Sequence, residues 1–351
     1  MLPTAAYAAH EPRSPLAPFM IERREPGPDE VLIDILYCGV CHSDVHQARD
    51  EWGGAIFPMV PGHEIVGRVS RVGDAVQRFK VGDAVGVGCF VDSCRQCPQC
   101  LAGVEQHCAL GMTATYNSRE GNTGAPTYGG YSTQITVDEK YVLRMPEGMA
   151  LDRAAPLLCA GATTYSPLRQ FGAGPGHEVG VVGLGGLGHM AVKLAAAMGA
   201  RVTVLSTSES KRPDALALGA HDFIATQDKN AFKSHAGRFD LILDTASAPH
   251  DYNAYLTLLK FNGTMVLLGI PEQPLPVAAG ALIMQRRKLA GSLIAGIAET
   301  QEMLDFCGEH GIVSDIELIG MEQINEAYER MVRNDVRYRF VIDIATLAQN
   351  Q

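Results

Sequence analysis

The stretch that leaves this chain the fewest options is Glu178 to Ser208, EVGVVGLGGLGHMAVKLAAAMGARVTVLSTS. Val179 to Val182 is apolar without alternation, as in a strand covered on both faces. Gly183, Gly185 and Gly188 follow with the spacing G-x-G-x-x-G, with Gly186 and Leu187 inside the turn. An alanine-rich segment then reads as a helix ending at Gly199, and Val202 to Leu205 reads as a second strand. Two parallel strands joined by a helix need a sheet covered by helices, which restricts this part of the chain to an α/β class. The glycines allow a tight turn and close approach of backbone to a pyrophosphate, while the new helix points its first amides at it. Flanked by strand and helix, the motif predicts a dinucleotide site; the competing reading is a purely structural glycine turn.

At the end of the second strand, folds that prefer NAD place a carboxylate on the ribose 2′-hydroxyl, roughly 20 residues past the glycines. This chain has Ser206, Thr207 and Ser208, then Glu209, Ser210, Lys211 and Arg212. Hydroxyls and cations suit a 2′-phosphate, so NADP(H) is the expected cofactor. The opposing reading turns Glu209 inward and leaves Lys211 and Arg212 as solvated surface. Strand and helix signals go on alternating: a strand over 240–244, a helix over 252–260, a turn at Gly263, a strand over 265–268 ending at Gly269, and a last strand over 289–294. About six parallel strands in a doubly wound Rossmann sheet are expected.

Residues 1–150 read differently. The segment 31–37 (VLIDILY) reads as a strand, and Gly62, Gly67, Gly73, Gly82, Gly86 and Gly88 recur among valines, as in short strands joined by tight turns. No helical period is visible here, so a partly open β-barrel is expected. Helices over 300–307 and 324–333 and a strand over 338–344 are assigned back to it. The expected domains are 1–159 with 298–351, and an inserted 160–297.

The nine cysteines cluster. Cys94-x2-Cys97-x2-Cys100-x7-Cys108 puts four thiols into fifteen residues, enough to close a tetrahedral all-sulfur zinc site around a loop with little core of its own. An iron–sulfur cluster or a nucleic-acid-binding zinc ribbon would use the same ligands, but the x7 gap and the scarcity of nearby Lys or Arg argue against both. A second ligand set is split along the chain. GVCHSDVH supplies Cys41, PGHEIVG supplies His63 and Glu64, and PLLCAGATTYSPL supplies Cys159 directly before the nucleotide unit. Two thiols and an imidazole are three ligands for a borderline-soft ion, leaving a fourth position for substrate, as in a catalytic zinc site. Cys38 and Cys307 are expected to be buried free thiols.

With these residues the sequence resembles the zinc-containing medium-chain alcohol dehydrogenases over essentially its whole length. Gly62, His63, Glu64, Gly67, Gly73 and Val76 meet the signature GHE-x2-G-x5-G-x2-V. GVCHSDVH, PLLCAGATTYSPL and the serine-rich turn are similar to the cinnamyl-alcohol-dehydrogenase subfamily and its bacterial NADPH-dependent aldehyde reductases. The resemblance implies a GroES-like β-barrel catalytic domain beside a Rossmann doubly wound domain. It implies NADP(H)-dependent interconversion of primary alcohols and aldehydes, two zincs per subunit (one catalytic, one structural), and a homodimer. It implies that Cys41, His63 and Cys159 hold the catalytic zinc, with Glu64 as an optional fourth ligand. Asp44 would orient His63, and Ser43 and His46 would relay a proton to the reacting oxygen. His42 would lie near the pyrophosphate, and Thr163, Gly269 and Ile294 near the nicotinamide. Trp52, Met59, Cys89, Ala114 and Leu293 are candidates for the substrate pocket. Plant members carry tryptophan and phenylalanine where this chain has Ala114 and Leu293, so a broad aldehyde range is expected rather than a lignin-type substrate.

Composition closes off other classes. A net charge of −10 without basic runs argues against nucleic acid or an anionic membrane as partner. No run of about 18 apolar residues occurs, and the N-terminus lacks a secretory pattern, so a cytoplasmic protein is expected. Two readings stay open beside the reductase: a zinc-dependent polyol dehydrogenase and a non-catalytic, zinc-stabilised binding protein. A metal-free quinone or enoyl reductase would lack the second ligand set altogether.

Overall fold

The computed structural model describes residues 1–121, 123–271 and 273–348. The chain forms two compact units, Met1–Cys159 with the segment from Ala295 onward, and Ala160–Ile294.

The second unit is built on six parallel strands in the order Asp222–Ala225, Arg201–Ser206, Glu178–Val182, Phe239–Asp244, Leu259–Leu267, Lys288–Gly291. That is the doubly wound order, which reverses direction between Glu178–Val182 and Phe239–Asp244. Val179, Val181, Val202, Val204, Leu241 and Leu243 are all buried, as a sheet covered on both faces requires. The helix Gly186–Ala197 buries Met190, Ala191, Val192, Leu194 and Ala195. Phe239, Ile242, Leu256, Leu259 and Met265 belong to one continuous core.

Three boundaries differ from the sequence reading. The helix from Tyr252 stops at Thr257, because the next strand already starts at Leu259. Gly263 lies inside that strand: while one strand moves from Phe239 to Leu241, its partner advances from Leu259 to Thr264. The surplus residues form an irregularity with Asn262 at φ 63°. The last strand ends at Gly291, short of Ile294, whose φ of 38° is incompatible with a strand.

In the first unit the strand Glu30–Val40 is the hub. It pairs antiparallel with Ile65–Val72, Gln134–Asp138 and Arg339–Asp343. Ala84–Val87 continues the sheet beyond Ile65–Val72 and pairs with Leu143–Arg144, and Ile316–Gly320 flanks Arg339–Asp343. Two register shifts between Glu30–Val40 and Ile65–Val72 bend this seven-stranded sheet. Besides short single turns such as Pro98–Leu101, a longer helix departs from the all-strand expectation for this region. The helix His42–Ala48 starts directly after the hub strand, with Cys41 as its N-cap. Seven residues are too few to show a helical period, so it left no trace in the pattern. No helix among the described residues is long and apolar enough to cross a membrane.

Candidate functional site

The hub strand, the helix it feeds and the strand Ile65–Val72 deliver Cys41, His63 and Glu64 to one place in the first unit, and the last residue of its N-terminal segment, Cys159, joins them. One ligand atom from each of the four lies within 4.8 Å of every other, and all four residues are buried. The sulfurs of Cys41 and Cys159 are 4.0 Å apart. Tetrahedral zinc with bonds of about 2.3 Å sets two thiolate sulfurs about 3.8 Å apart, so the donor set and its spacing fit that ion.

Electrostatics point the same way. The Cys41 thiol is held well below its ordinary range, chiefly by the hydrogen bond from Cys159, with His63 adding to it and burial opposing. Cys159, as the donor of that bond, is pushed well above its own range. Burial works against a charged His63, yet the Asp44 carboxylate raises the imidazole well above its usual value. A cation bound there would keep the Cys41 thiolate and displace the protons held on the Cys159 thiol and the His63 imidazole.

Asp44 organises the cluster. Its carboxylate is fully buried and accepts from Cys41 N (2.9 Å), Gly62 N (3.1 Å), His63 Nδ1 (3.1 Å) and the Tyr131 hydroxyl (3.3 Å). With Nδ1 committed to Asp44, His63 has Nε2 left as its ligand atom. A buried carboxylate is tolerated because so many donors meet it. Tyr131 in turn contacts the Tyr328 hydroxyl at 3.5 Å. Neither tyrosine was singled out in the sequence, where each reads as an ordinary core aromatic.

Glu64 has a partner that sequence reading missed. Its Oε1 accepts a charge-assisted bond from Arg339, while Oε2 is buried with no hydrogen-bond partner. Burial pushes this carboxyl up to about 7, against the pull of Arg339. Gly39 makes room for it, since a Cβ there would lie 1.9 Å from Glu64 Oε2. The available signal was a cation heading three apolar residues in the strand RFVID.

The other candidates of the first unit take the following positions. The Ser43 hydroxyl is 3.6 Å from Cys41 Sγ. His46 Nδ1 donates to Glu51 Oε2 at 2.5 Å, and its ring stacks on Trp52 at 4.9 Å. His42 is 6.3 Å from His46, ring to ring. Cys89 is half-buried with its sulfur 3.9 Å from the Leu158 carbonyl, and Ala114 sits in the hairpin partner of Phe90–Asp92. Met59 is buried in a bridge to Ala9. Cys38 and Cys307 are buried thiols, the latter 3.6 Å from Met303 Sδ.

The four-cysteine loop forms a second cluster. Its ligand atoms also lie within 4.8 Å of one another, with Cys97 and Cys100 sulfurs 3.4 Å apart and those of Cys94 and Cys100 3.8 Å apart. Backbone amides of Cys94, Cys97 and Ala109 point at the sulfurs of Cys108, Cys94 and Cys97. Such bonds favour the thiolate, and with Ala109 as the largest contributor Cys97 is lowered to about 6. Arg95 ties the loop down through Asp92 and Asp138.

In the second unit Gly183 takes φ 87°, closing the turn after Glu178–Val182 in a conformation that favours glycine. Among the described residues no side chain caps the first amides of Gly186–Ala197, whose first turn carries no acid, and beyond its chain neighbours no atom of theirs lies within 4 Å of where a Cβ on Gly185 would point. Lys211 Nζ donates to the Leu184 carbonyl at 3.1 Å, which brings a cation onto the glycine turn. Glu209 is engaged by Arg212 at 2.5 Å, and the Ser208 and Ser210 hydroxyls are 2.8 Å apart. Ser206 and Thr163 are buried, Thr207 and Leu293 exposed.

Residues 27–147 match the alcohol dehydrogenase GroES-like domain family and residues 186–309 the zinc-binding dehydrogenase family. The chain is 58% identical over 348 residues to "NADP-dependent alcohol dehydrogenase C 1" of Mycolicibacterium smegmatis, covering 99% of each. It is 57% identical over 344 residues to "Aldehyde reductase YahK" of Escherichia coli, covering 97% of this chain and 98% of that one. The fold superposes on a cinnamyl alcohol dehydrogenase of Sorghum bicolor with a TM-score of 0.95, at 48% identity and 98% coverage of both chains. A GroES-like barrel, a doubly wound parallel sheet and a buried Cys–His–Cys cluster on one chain are what these relatives would lead one to find, and the chain belongs to the zinc-containing medium-chain alcohol dehydrogenases of the cinnamyl-alcohol-dehydrogenase type.

Proposed function

We propose that this protein is an NADP(H)-dependent alcohol dehydrogenase acting chiefly as a broad-range aldehyde reductase. The observation that carries the reading is the buried cluster of Cys41, His63 and Cys159, three metal-ligand side chains with their ligand atoms within 4.8 Å. In this reading Cys41, His63 and Cys159 hold a catalytic zinc, Glu64 is an optional fourth ligand in the resting enzyme, and Cys94, Cys97, Cys100 and Cys108 hold a structural one. When bound, the first zinc supplies Lewis acidity to the carbonyl oxygen and the reduced dinucleotide supplies the hydride.

The chain's own groups do the rest. Cys41 and Cys159 would hold a divalent cation with two negative charges, which would offset its own and limit how strongly it could hold an oxygen. Asp44 fixes the tautomer and direction of His63. Ser43 donates a proton to the substrate oxygen from its Oγ, and His46 restores it. A carboxylate only accepts, so Glu51 keeps the proton on His46 Nδ1 and leaves Nε2 as the exchanging atom. In the other unit, the turn Gly183 to Gly188 and the first amides of the following helix take the pyrophosphate. Lys211 and the Ser206, Thr207 and Ser208 hydroxyls take the 2′-phosphate, and Glu209, already paired with Arg212, does not compete. In that unit Thr163, Gly269 and Ile294 are assigned to the dinucleotide and Leu293 to the substrate; in the first unit His42 is assigned to the dinucleotide, and Trp52, Met59, Cys89 and Ala114 to the substrate. The domains of this reading are 1–159 with 298–351, and 160–297.

The same reading includes a cytoplasmic homodimer. The edge strand Lys288–Gly291 has one neighbour in its sheet, and Ile270, Ile283 and Met284 nearby in sequence are exposed, which supports self-association through this unit. Light scattering of the purified protein measures it, and a monomer removes that part.

The function is tested with aliphatic and aromatic aldehydes, and with polyols in the reverse direction, each with both cofactors. Aldehyde reduction with NADPH at a kcat/KM well above that with NADH is expected. Equal or reversed cofactor values sink the 2′-phosphate assignment, and turnover confined to polyols replaces the reductase by a polyol dehydrogenase.

A further inference from the structure

Asp244 ends the central strand Phe239–Asp244, beside the strand that leads into the glycine turn, and its side chain is buried. One carboxylate oxygen accepts from Ala246 N at 3.2 Å and the other from His250 Nε2 at 3.0 Å. The second nitrogen of that ring, Nδ1, faces the Ala248 carbonyl at 2.8 Å. A carboxylate and a carbonyl can only accept, so both ring nitrogens must donate, and His250 is an imidazolium. The ring is clasped by Tyr252 at 4.2 Å and by the edge of Tyr255 at 5.2 Å. The charged and titratable groups around it are Asp244, Asp251 at the head of the helix Tyr252–Thr257, and these two phenols. Burial opposes the charge, and Asp244 outweighs it, raising the imidazole above its ordinary value.

The loop closed by this pair borders the turn. Thr245 donates twice to the Val182 carbonyl, from N at 3.1 Å and Oγ1 at 2.7 Å. A Cβ on Gly183 would lie 3.2 Å from Thr245 Oγ1, and one on Gly269 would lie 2.6 Å from the Ala246 carbonyl oxygen. Residues 245–247 are thus wedged between the glycine turn and Gly269, at the point where the sheet order reverses and ligands of such sheets bind. We infer that His250 is a positioning residue for the dinucleotide: its two hydrogen bonds fix residues 245–250 as a preformed wall of the crevice. This rests on the cofactor reading above. A preformed wall lowers the ordering cost of binding and leaves the chemical step alone.

The test is the dissociation constant of NADPH, read by its fluorescence, for the wild type, His250→Phe, His250→Gln and Asp244→Asn. Phenylalanine keeps the ring against Tyr252 and loses both donors; glutamine keeps one donor for Asp244. Expected are a dissociation constant raised about tenfold in His250→Phe and Asp244→Asn, a smaller rise in His250→Gln, and kcat at saturating NADPH within about twofold of wild type. Amide exchange over 245–250 in the unliganded protein should speed up in the same order. Unchanged affinity with folded variants, or a kcat that falls while affinity holds, overturns the inference. Should the wild type bind no NADPH, the cofactor reading is what fails, and exchange over 245–250 still decides whether His250 holds the loop.

Discussion

Cys94, Cys97, Cys100 and Cys108 lie within one loop, the first three half-buried and Cys108 buried, with backbone amides pointing at their sulfurs. Cys41 and Cys159 are 118 residues apart, and their cluster is fully buried, its imidazole braced by Asp44 and its carboxylate by Arg339. The first cluster needs only a short stretch of chain to assemble, and it can hold that stretch in shape. The second exists only after the first unit has folded, and everything around it holds charge and direction in a dry place. A local all-sulfur site is suited to stability; a dispersed, braced and buried site is suited to chemistry.

That contrast can be broken in order of effect. On the proposed reading of two zincs per chain, Cys159→Ser should lower aldehyde turnover by about a thousandfold or more and leave one ion instead of two, read by elemental analysis beside the assay. Full activity with one ion missing would place the chemistry elsewhere. Ser43→Ala should cost about a hundredfold or more in kcat while both ions stay, because it removes a proton donor and no ligand. Near-normal turnover would take Ser43 out of the relay.

Asp44→Asn should weaken binding at the buried cluster by about ten- to a hundredfold, measured by chelator competition, with the four-thiol ion released as in the wild type. Parallel loosening of both ions would mean that the two regions are not independent. The smallest effect on turnover should come from Cys100→Ser. Its ion is lost and Tm falls by about 5–10 °C, but the folded fraction should reduce aldehydes within about threefold of wild type. A collapse of kcat in that variant, with the fold intact by circular dichroism, would erase the distinction between the two clusters.

Much of this was legible before any coordinates. The four thiols announce themselves by spacing, and the strand, glycine turn and helix of 178–199 by composition, because both are local patterns and local patterns survive in a linear sequence. Short or irregular pieces were not legible. The helix His42–Ala48 spans two turns, and the strand Leu259–Leu267 carries surplus residues that read as a turn at Gly263. Arg339 could be seen only as a cation in an apolar strand; that it meets Glu64, 275 positions away, is a fact of strand pairing.

What the sequence determined by itself is which chemical groups are present and which of them are neighbours along the chain: a phosphate-binding turn, two thiols, an imidazole and a carboxylate. Only the tertiary structure decided that those side chains meet in one buried cluster, that Asp44 gathers four donors, and that His250 sets its two ring nitrogens against two acceptors. The reason is physical. Ligand types are set residue by residue, whereas protonation and direction depend on which groups burial forces together.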